Sequence, residues 1–90
     1  MGKLVKELEP VFRALANKRR ITMVQNIRKN KEICVSDIAE EIHLSFRSTS
    51  RHLAVLQKAG ILEKEQRGVQ MFYRISSHLS DTDRKILALL

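Results

Sequence analysis

The stretch that most constrains this chain is SFRSTSRHLAVLQKA, residues 45–59, which predicts one short helix with two different faces. The inward positions recur at spacings of four and three, the period of an α-helix, at Thr49, Leu53 and Leu56. The opposite side carries Arg47, Arg51, Ala54 and Lys58, with Ser48 at its margin. Ser45 can cap the first turn through its hydroxyl, and Gly60 stands where a left-handed residue usually ends a helix.

The exposed side of this helix is purely basic, because no Asp or Glu occurs between His43 and Leu62. Small residues near its N-terminal end permit a close approach to a large partner. These properties suit a helix in the major groove of DNA, where arginine binds guanine or phosphate. The alternative that this stretch leaves open is an amphipathic surface helix with solvated arginines.

A second short helix precedes the first, and the pair predicts a helix-turn-helix over residues 36–59. Ser36 or Asp37 caps a compact helix over 37–42, with Ile38, Ala39 and Ile42 buried. His43-Leu44 then forms a tight turn. Two helices so closely joined are typical of this motif, in which the first helix supports the second in the groove.

After Gly60 the apolar period changes from 3.6 to 2, which predicts a β-hairpin wing over residues 61–75. Residues 61–66 and 70–75 are the strands and Arg67-Gly68-Val69 is the turn. Arg67 at this tip is predicted to reach the DNA backbone or minor groove, although a lone arginine at a turn is commonly just solvated.

Helices at both ends of the chain carry apolar stripes that are candidates for a dimer interface, in residues 1–16 and 80–90. The N-terminal stripe contains Leu4, Leu8, Val11, Phe12 and Leu15. Pro10 lies within it, so this helix either kinks there or begins there with Glu9 as its cap. Ser80 caps a last helix that packs on the first helix or on a partner chain, with Ile86, Leu87, Leu89 and Leu90 as its apolar residues.

The helix between these segments begins with three cations. Asn17 is its predicted cap, the helix runs to about Lys29, and Lys18, Arg19 and Arg20 form its first turn. Cations at a helix N-terminus oppose the helix dipole, so a functional use such as phosphate contact is one interpretation, and a merely solvated basic turn stays open beside it. Residues 32–35, which follow, are a short linker or a strand.

Composition agrees with one basic domain over residues 1–90. The net charge is +7 and the isoelectric point is about 10.1, which favours a polyanionic partner such as DNA, RNA or an acidic membrane surface. Residues 1–30 hold eight Lys or Arg and two Glu, a net charge of +6. Part of the excess charge therefore lies on the N-terminal helices and not on the candidate reading helix.

Several classes of protein are disfavoured by the same sequence. Cys34 is the single cysteine, which excludes an intrachain disulfide and fits a reducing cytoplasm. No stretch has the length of a membrane span or the apolar core of a signal peptide, so no membrane is expected as a partner. No nucleophile–base pair or glycine-rich phosphate loop occurs, so neither an enzyme nor a bound cofactor is expected.

Three segments, FRALANKRRITMVQNI, CVSDIAEEIHLSFRSTSRHLAVLQKAGIL and EKEQRGVQMFYRIS, together resemble the ArsR-type winged helix-turn-helix repressors over about residues 8–76. The resemblance implies a mainly α fold with a small β-hairpin, in the order α-α-α-α-β-β-α. It also implies a homodimer joined through its terminal helices, which binds a palindromic operator and represses transcription in a prokaryotic cytoplasm. Phe46 and Arg47 depart from the polar and small residues that the family often has there, so the bases read would differ.

Two sets of site residues follow from the pattern and the resemblance together. Arg47, Ser48 and Arg51 are predicted to point to bases, whereas Thr49 points chiefly into the core. The full DNA-binding set is Ser45, Phe46, Arg47, Ser48, Thr49, Ser50, Arg51, His52, Arg67 and Gln70. The dimer-interface set is Leu4, Leu8, Val11, Ile86, Leu87 and Leu90.

Many members of the resembled family sense metals, but this chain lacks the ligands that the resemblance would require. In the segment 32–39 Cys34 matches a ligand position, whereas Ser36 and Ala39 supply no further thiolate. One thiolate does not suffice for zinc or a thiophilic metal. No histidine follows His78 in the last helix, so no metal is expected there either. Cys34 is interpreted as a small buried hydrophobe in preference to a redox switch.

Two hypotheses from different classes remain at this point. The first is a dimeric, sequence-specific regulator that binds double-stranded DNA. The second is a winged helix that binds RNA or another protein, because a fold does not fix a function. RNA readers usually offer aromatic side chains for base stacking, and among the four aromatic residues only Phe46 is expected near the reading face. His52 is either a hydrogen-bonded structural histidine or a phosphate contact.

Overall fold

The computed structural model describes residues 4–90, which form five helices and three strands. Residues 1–3, part of the predicted dimerisation segment, lie outside the described residues. In chain order the elements are α1 (Val5–Leu15), α2 (Lys18–Asn30), β1 (Glu32–Cys34), α3 (Val35–Ile42), α4 (Phe46–Lys58), β2 (Leu62–Arg67), β3 (Gln70–Ile75) and α5 (Asp81–Leu87).

The predicted fold class, a mainly α winged helix-turn-helix with a small hairpin, is confirmed with one added strand. Residues 32–34, left open as a linker or a strand, form β1 and pair with β3. The sheet is antiparallel in the order β1-β3-β2. Gly68 and Val69 alone form the turn of the hairpin, and Gly68 has φ +60°, as two-residue hairpin turns require at that point. Arg67 is therefore the last residue of β2 and not part of the turn.

Side-chain caps fix three of the helix starts as predicted. The Asn17 side chain accepts from the backbone N–H groups of Arg19 and Arg20 at 3.0 and 3.1 Å. Ser45 and Ser80 cap α4 and α5 in the same way. Gly60, just after α4, has φ +82°. Local chemistry thus sets the bounds of the helices that carry most of the basic residues.

One predicted helix start is wrong, and for a second helix the structure excludes one of the two predicted alternatives. Helix α3 begins at Val35, directly after β1, with Cys34 at the cap position and no side-chain capping bond. Burial of Val35 in the core outweighs the capping preference of Ser36 and Asp37. Helix α1 begins at Val5 and continues through Pro10, so it does not start at the proline.

Helix α2 supplies the centre of the core. Met23, Val24 and Ile27 are fully buried, and α2 packs against α1, α3, α4 and the sheet. The core around them includes the following buried residues: Val11, Leu15, Ile38, Leu53, Leu56, Ile61, Tyr73 and Leu87. Each helix of the helix-turn-helix therefore rests on the same central helix.

Two residues of the predicted dimer interface belong to this core instead. Val11 and Leu87 are only 1% and 3% exposed within one protomer, so they are not available to a second subunit. The apolar stripe of α1 is wide. Its inner edge, with Val11, packs in the core, and its outer edge is exposed. The exposed apolar residues of the two terminal segments are Leu4, Val5, Phe12 and Leu89.

The C-terminal helix is held by α2. The Arg28 guanidinium donates to the backbone carbonyl of Leu87, and Gln25 Nε2 donates to the Leu90 carbonyl at 3.0 Å. These bonds satisfy acceptors at a helix end that would otherwise lack partners. The side chains of Ile86 and Leu90 are partly buried against the core.

One outer face of the sheet carries a network of five charged residues. Arg67 contacts both carboxylate oxygens of Glu32 at 2.7 Å and also pairs with Glu65 at 3.1 Å. Arg74, opposite Glu32 and Glu63 in the register, pairs with Glu63 at 2.9 Å and Glu65 at 3.1 Å. Hydrogen bonds from these arginines lower the pKa of each of the three carboxyl groups.

The network makes stability depend on pH in the acid range. A carboxyl group whose pKa is lower in the folded state stabilises the fold above its unfolded pKa, and this contribution is lost as pH falls through the folded pKa. We therefore expect the melting temperature to fall as pH drops below about 4.5, the ordinary glutamate value. Glu32→Gln should show a smaller fall than the wild type between pH 6 and pH 3, followed by circular dichroism. Glu40→Gln, at an exposed glutamate of α3, is the matched control; a fall in Glu32→Gln equal to that of the wild type would contradict the assignment.

The Asn17 cap gives a second test of the local structure. Asn17→Ala leaves the Arg19 and Arg20 N–H groups without their acceptor, so we expect a loss of about 1 kcal/mol in the free energy of unfolding. Urea titration followed by circular dichroism measures it. Asn17→Asp keeps the acceptor and should retain the wild-type stability; an alanine variant as stable as wild type would rule out the cap.

Candidate nucleic-acid interface

Helix α4 is oriented by the three side chains it buries. Thr49, Leu53 and Leu56 are fully buried, as the predicted inward stripe requires. Arg47, Arg51 and Lys58 lie on the opposite side and are exposed. Among the described residues, no carboxylate lies within ion-pair distance of these three cations. Their charges are therefore available to an anionic partner.

The inclusion of Thr49 among DNA-contacting residues is wrong. It is 0% exposed, and its hydroxyl has no hydrogen-bond partner within the described part of the chain. Thr49 shares the helical face of Leu53 and Leu56, so its side chain is directed into the core. The predicted core role of this residue is the one that the structure supports.

The first turn of α4 combines a satisfied cap with an exposed aromatic ring. The Ser45 hydroxyl accepts from the Ser48 backbone N–H at 3.1 Å, which fixes the start of the helix. Phe46, the first helical residue, is 59% exposed. Ser48 and Ser50 are half-buried. This end of the helix thus presents short polar side chains and one large apolar one.

Arg20 joins α4 to the end of α1. Its Nε donates to the Ala14 carbonyl at 2.6 Å and its Nη2 to the Arg13 carbonyl at 3.3 Å. Its Nη1 lies 3.4 Å from His52 Nδ1 on α4. Because a guanidinium can only donate, Nδ1 of His52 is the acceptor. Arg20 is therefore a structural residue, and only Lys18 and Arg19 of the basic turn are free to bind phosphate.

His52 is the hydrogen-bonded histidine that the sequence offered as one of two alternatives. Its pKa is lowered by burial, and then by the positive charges of Arg20 and Arg19. The neutral imidazole is consequently the dominant form at pH 7, which suits its role as an acceptor.

Lys18 and Arg19 extend the exposed basic surface of α4. Together with Thr22 of α2 they line a cleft of about 190 Å³, whose other side is Ile42 and Leu44 at the turn between α3 and α4. Both cations are exposed. We call Lys18, Arg19, Arg47 and Arg51 the basic face; the last two belong to α4 and the first two flank its N-terminal end.

The structure does not bring the wing residues into this face as free side chains. Arg67 is held by Glu32 and Glu65, and its guanidinium lies 4.6 Å from the centre of the Phe72 ring. A phosphate would have to displace a carboxylate to reach it. Gln70 is exposed, with its Nε2 3.8 Å from the Cys34 sulfur. The hairpin tip is instead Gly68 and Val69, and Val69 is 99% exposed.

A groove of opposite charge lies beside α3 and was not predicted from the sequence. It has a volume of about 620 Å³, and its lining includes Glu32, Asp37, Glu40 and Glu41. We call these four residues the acidic groove. The available sequence signal is the spacing of Asp37, Glu40 and Glu41, which places them on one side of a helix. The acidic groove would repel a polyanion, whereas the basic face would attract one.

Cys34 and the remaining candidate ligands do not assemble a metal site in residues 4–90. No group of three or more His, Cys, Asp or Glu side chains in this range has the geometry to hold a metal ion. Cys34 is buried. Over the same residues, none of the helices is both long enough and apolar enough to cross a membrane.

Two of the sequence relatives of this chain are regulators of arsenic resistance. The arsenic resistance transcriptional regulator ArsR1 of Pseudomonas putida is 38% identical over 65 residues, covering 72% of this chain and 51% of that protein. The arsenical resistance operon repressor of Escherichia coli is 32% identical over 77 residues, covering 86% of this chain and 66% of that protein. The chain therefore spans between about half and two thirds of the length of these relatives.

A solved structure shares the fold. It is the homodimeric winged helix-turn-helix DNA-binding domain of a possible ArsR-family transcriptional regulator from Mycobacterium bovis, with a TM-score of 0.80 and 24% identity. The likeness covers 99% of this chain and 84% of that one. A family model for the bacterial regulatory proteins of the arsR family matches residues 17–64, from the cap of α2 to the start of β2. The chain belongs to the ArsR family of bacterial regulatory proteins.

Proposed function

We propose that this chain is a sequence-specific, double-stranded DNA-binding regulator that represses transcription from a palindromic operator as a homodimer. The observation that carries the proposal is the unpaired basic side of α4, which is held outward by the buried stripe on its other side. Since prokaryotic DNA lies in the cytoplasm, this function places the protein there.

The chemistry of the basic face fits a duplex. A helix with exposed arginines and short polar side chains can enter the major groove, where arginine binds guanine through two hydrogen bonds. In this account Arg47 and Arg51 bind bases, with Ser48 between them. Lys18 and Arg19, beside the N-terminal end of the helix, neutralise phosphates. Ser45, Ser50 and His52 contribute to DNA binding indirectly, because they help to set the shape and position of α4.

The exposed apolar residues at the chain ends support a dimer. Val5 and Phe12 lie on the outer side of α1, Leu4 directly precedes that helix, and Leu89 follows α5. In the proposed organisation the segments 1–16 and 80–90 join two subunits. In each subunit the helix-turn-helix, residues 36–59, places α4 in one half-site, and the wing, residues 61–75, lies beside it. A two-fold dimer requires two half-sites in opposite orientation.

The donor set at Cys34 does not fit a thiophilic metal. This chain has one cysteine, and its buried sulfur lies beside an amide group and not beside a second thiolate. Such metals require three or four ligands of which several are soft. The signal that releases this chain from DNA is therefore proposed to differ from thiolate coordination of a metal.

The function is tested by selecting binding sites from a pool of random duplex DNA at roughly physiological salt. We expect enrichment of an inverted repeat with half-sites about one helical turn apart. Enrichment of a single half-site would support sequence-specific binding and contradict the proposed dimer. Retention of DNA without any consensus, or tighter binding of single-stranded RNA, would contradict the proposed function.

Arg51 gives the sharpest single-residue test of the reading helix. Arg51→Ala should weaken binding of the selected duplex by about 1–3 kcal/mol, because it removes a base contact. Fluorescence anisotropy measures the affinity, and thermal unfolding checks the fold. Lys29→Ala, which removes one exposed charge at the other end of α2, is the control and should lose far less. If both variants lost the same affinity, Arg51 would contribute only through its charge and not through a base contact.

Removal of the Lys18 and Arg19 charges should change the salt dependence of DNA affinity and leave the sequence preference unchanged. Each phosphate contact contributes about 0.9 to the slope of log affinity against log salt. The double variant Lys18→Ala, Arg19→Ala should therefore lower the slope by about 2 while the selected consensus stays the same. An unchanged slope would place these two cations outside the interface.

A further inference from the structure

Phe46 is a large apolar side chain at a place where the proposed function needs only polar ones. It is 59% exposed and does not belong to the hydrophobic core. It is the first residue of α4 and is followed directly by Arg47. The exposed apolar residues Leu4, Val5 and Phe12 lie at the start of α1 or on it, outside the basic face. Burial within the protomer therefore does not account for the aromatic ring at this position.

Phe46 stands at the N-terminal end of α4. Side chains of an α-helix lean toward its N-terminus. Phe46 has no preceding helical turn to lie upon, because Ser45 is the capping residue in extended conformation. The N-terminal residues of a recognition helix are the ones that meet base edges. In a helix that meets base edges with this end, the Phe46 side chain precedes that of Arg47.

The major groove offers few apolar groups to such a ring. Guanine, adenine and cytosine present hydrogen-bond donors and acceptors there, whereas thymine adds a methyl group at C5. A phenyl ring cannot donate to or accept from the polar edges, but it can cover a methyl group and exclude water from both surfaces. Thymine is thus the base whose edge matches Phe46.

We propose that Phe46 is a specificity-determining residue that selects thymine at one position of each half-site, next to the base bound by Arg47. The inference rests on the proposed function, because it requires α4 to enter the major groove. In addition to that function, the protein would recognise its operator partly through an apolar contact. The operator should then combine guanine for the arginines with one thymine whose methyl group is needed for full affinity.

The test replaces each thymine of the selected duplex by uracil, one symmetric pair at a time. Uracil keeps the base pair and lacks only the methyl group. For the wild-type protein, one pair should weaken binding by about fourfold per half-site, the effect of burying one methyl-sized group. Phe46→Ala should bind the thymine duplex more weakly and show no further loss with uracil. Phe46→Leu, which keeps an apolar side chain, should retain part of the penalty.

Val55→Ala is the matched control, since Val55 is an exposed apolar residue nine positions further along α4. It should keep the full uracil penalty. Thermal unfolding of each variant verifies the fold. Tight binding of the selected duplex with no uracil effect, or a uracil penalty that persists in Phe46→Ala, would overturn the inference and leave the proposed function standing. Absence of any selected consensus would overturn both.

Discussion

The burial of Thr49, Leu53 and Leu56 of α4 is the interaction on which the rest of this molecule depends. Leu53 and Leu56 join the core that also holds Met23, Val24 and Ile27 of α2, all fully buried. A helix with a fixed apolar stripe has one rotation about its axis that buries that stripe. This rotation directs Arg47 and Arg51 outward. The orientation of the basic face is thus a consequence of packing, and the arginines need no partner of their own to hold it.

Acidic and basic residues lie on different helices and strands, which the net charge of +7 does not reveal. Residues 31–60 contain four basic and four acidic residues and have no net charge, yet they contain the arginines of α4. The acids of this segment all precede His43, on β1 and α3, and line the acidic groove. The two arginines of the wing are neutralised by glutamates. Within the helix-turn-helix, the positive side chains therefore all lie on α4, and Lys18 and Arg19 of α2 extend the surface that they form.

The parts of the structure that were predictable depend on residues close together in sequence. Ser45, Asn17 and Gly60 set helix ends through backbone groups within a few positions, so pattern and cap chemistry were sufficient. Arg67 and Arg20 were misjudged for the opposite reason. Their partners Glu32 and His52 lie 35 and 32 residues away, and the sheet register and helix packing that bring them together are not visible in a local pattern. The double-sided stripe of α1 likewise conceals which residues face the core.

The most direct test of whether packing of α4 creates the DNA-binding surface is to map that surface by NMR. Backbone amide shifts of the labelled protein would be followed during titration with the duplex selected by binding. We expect the largest changes in residues 45–52 and at Lys18 and Arg19, while Asp37, Glu40 and Glu41 stay unchanged. The largest changes in the acidic groove, with residues 45–52 unaffected, would contradict it.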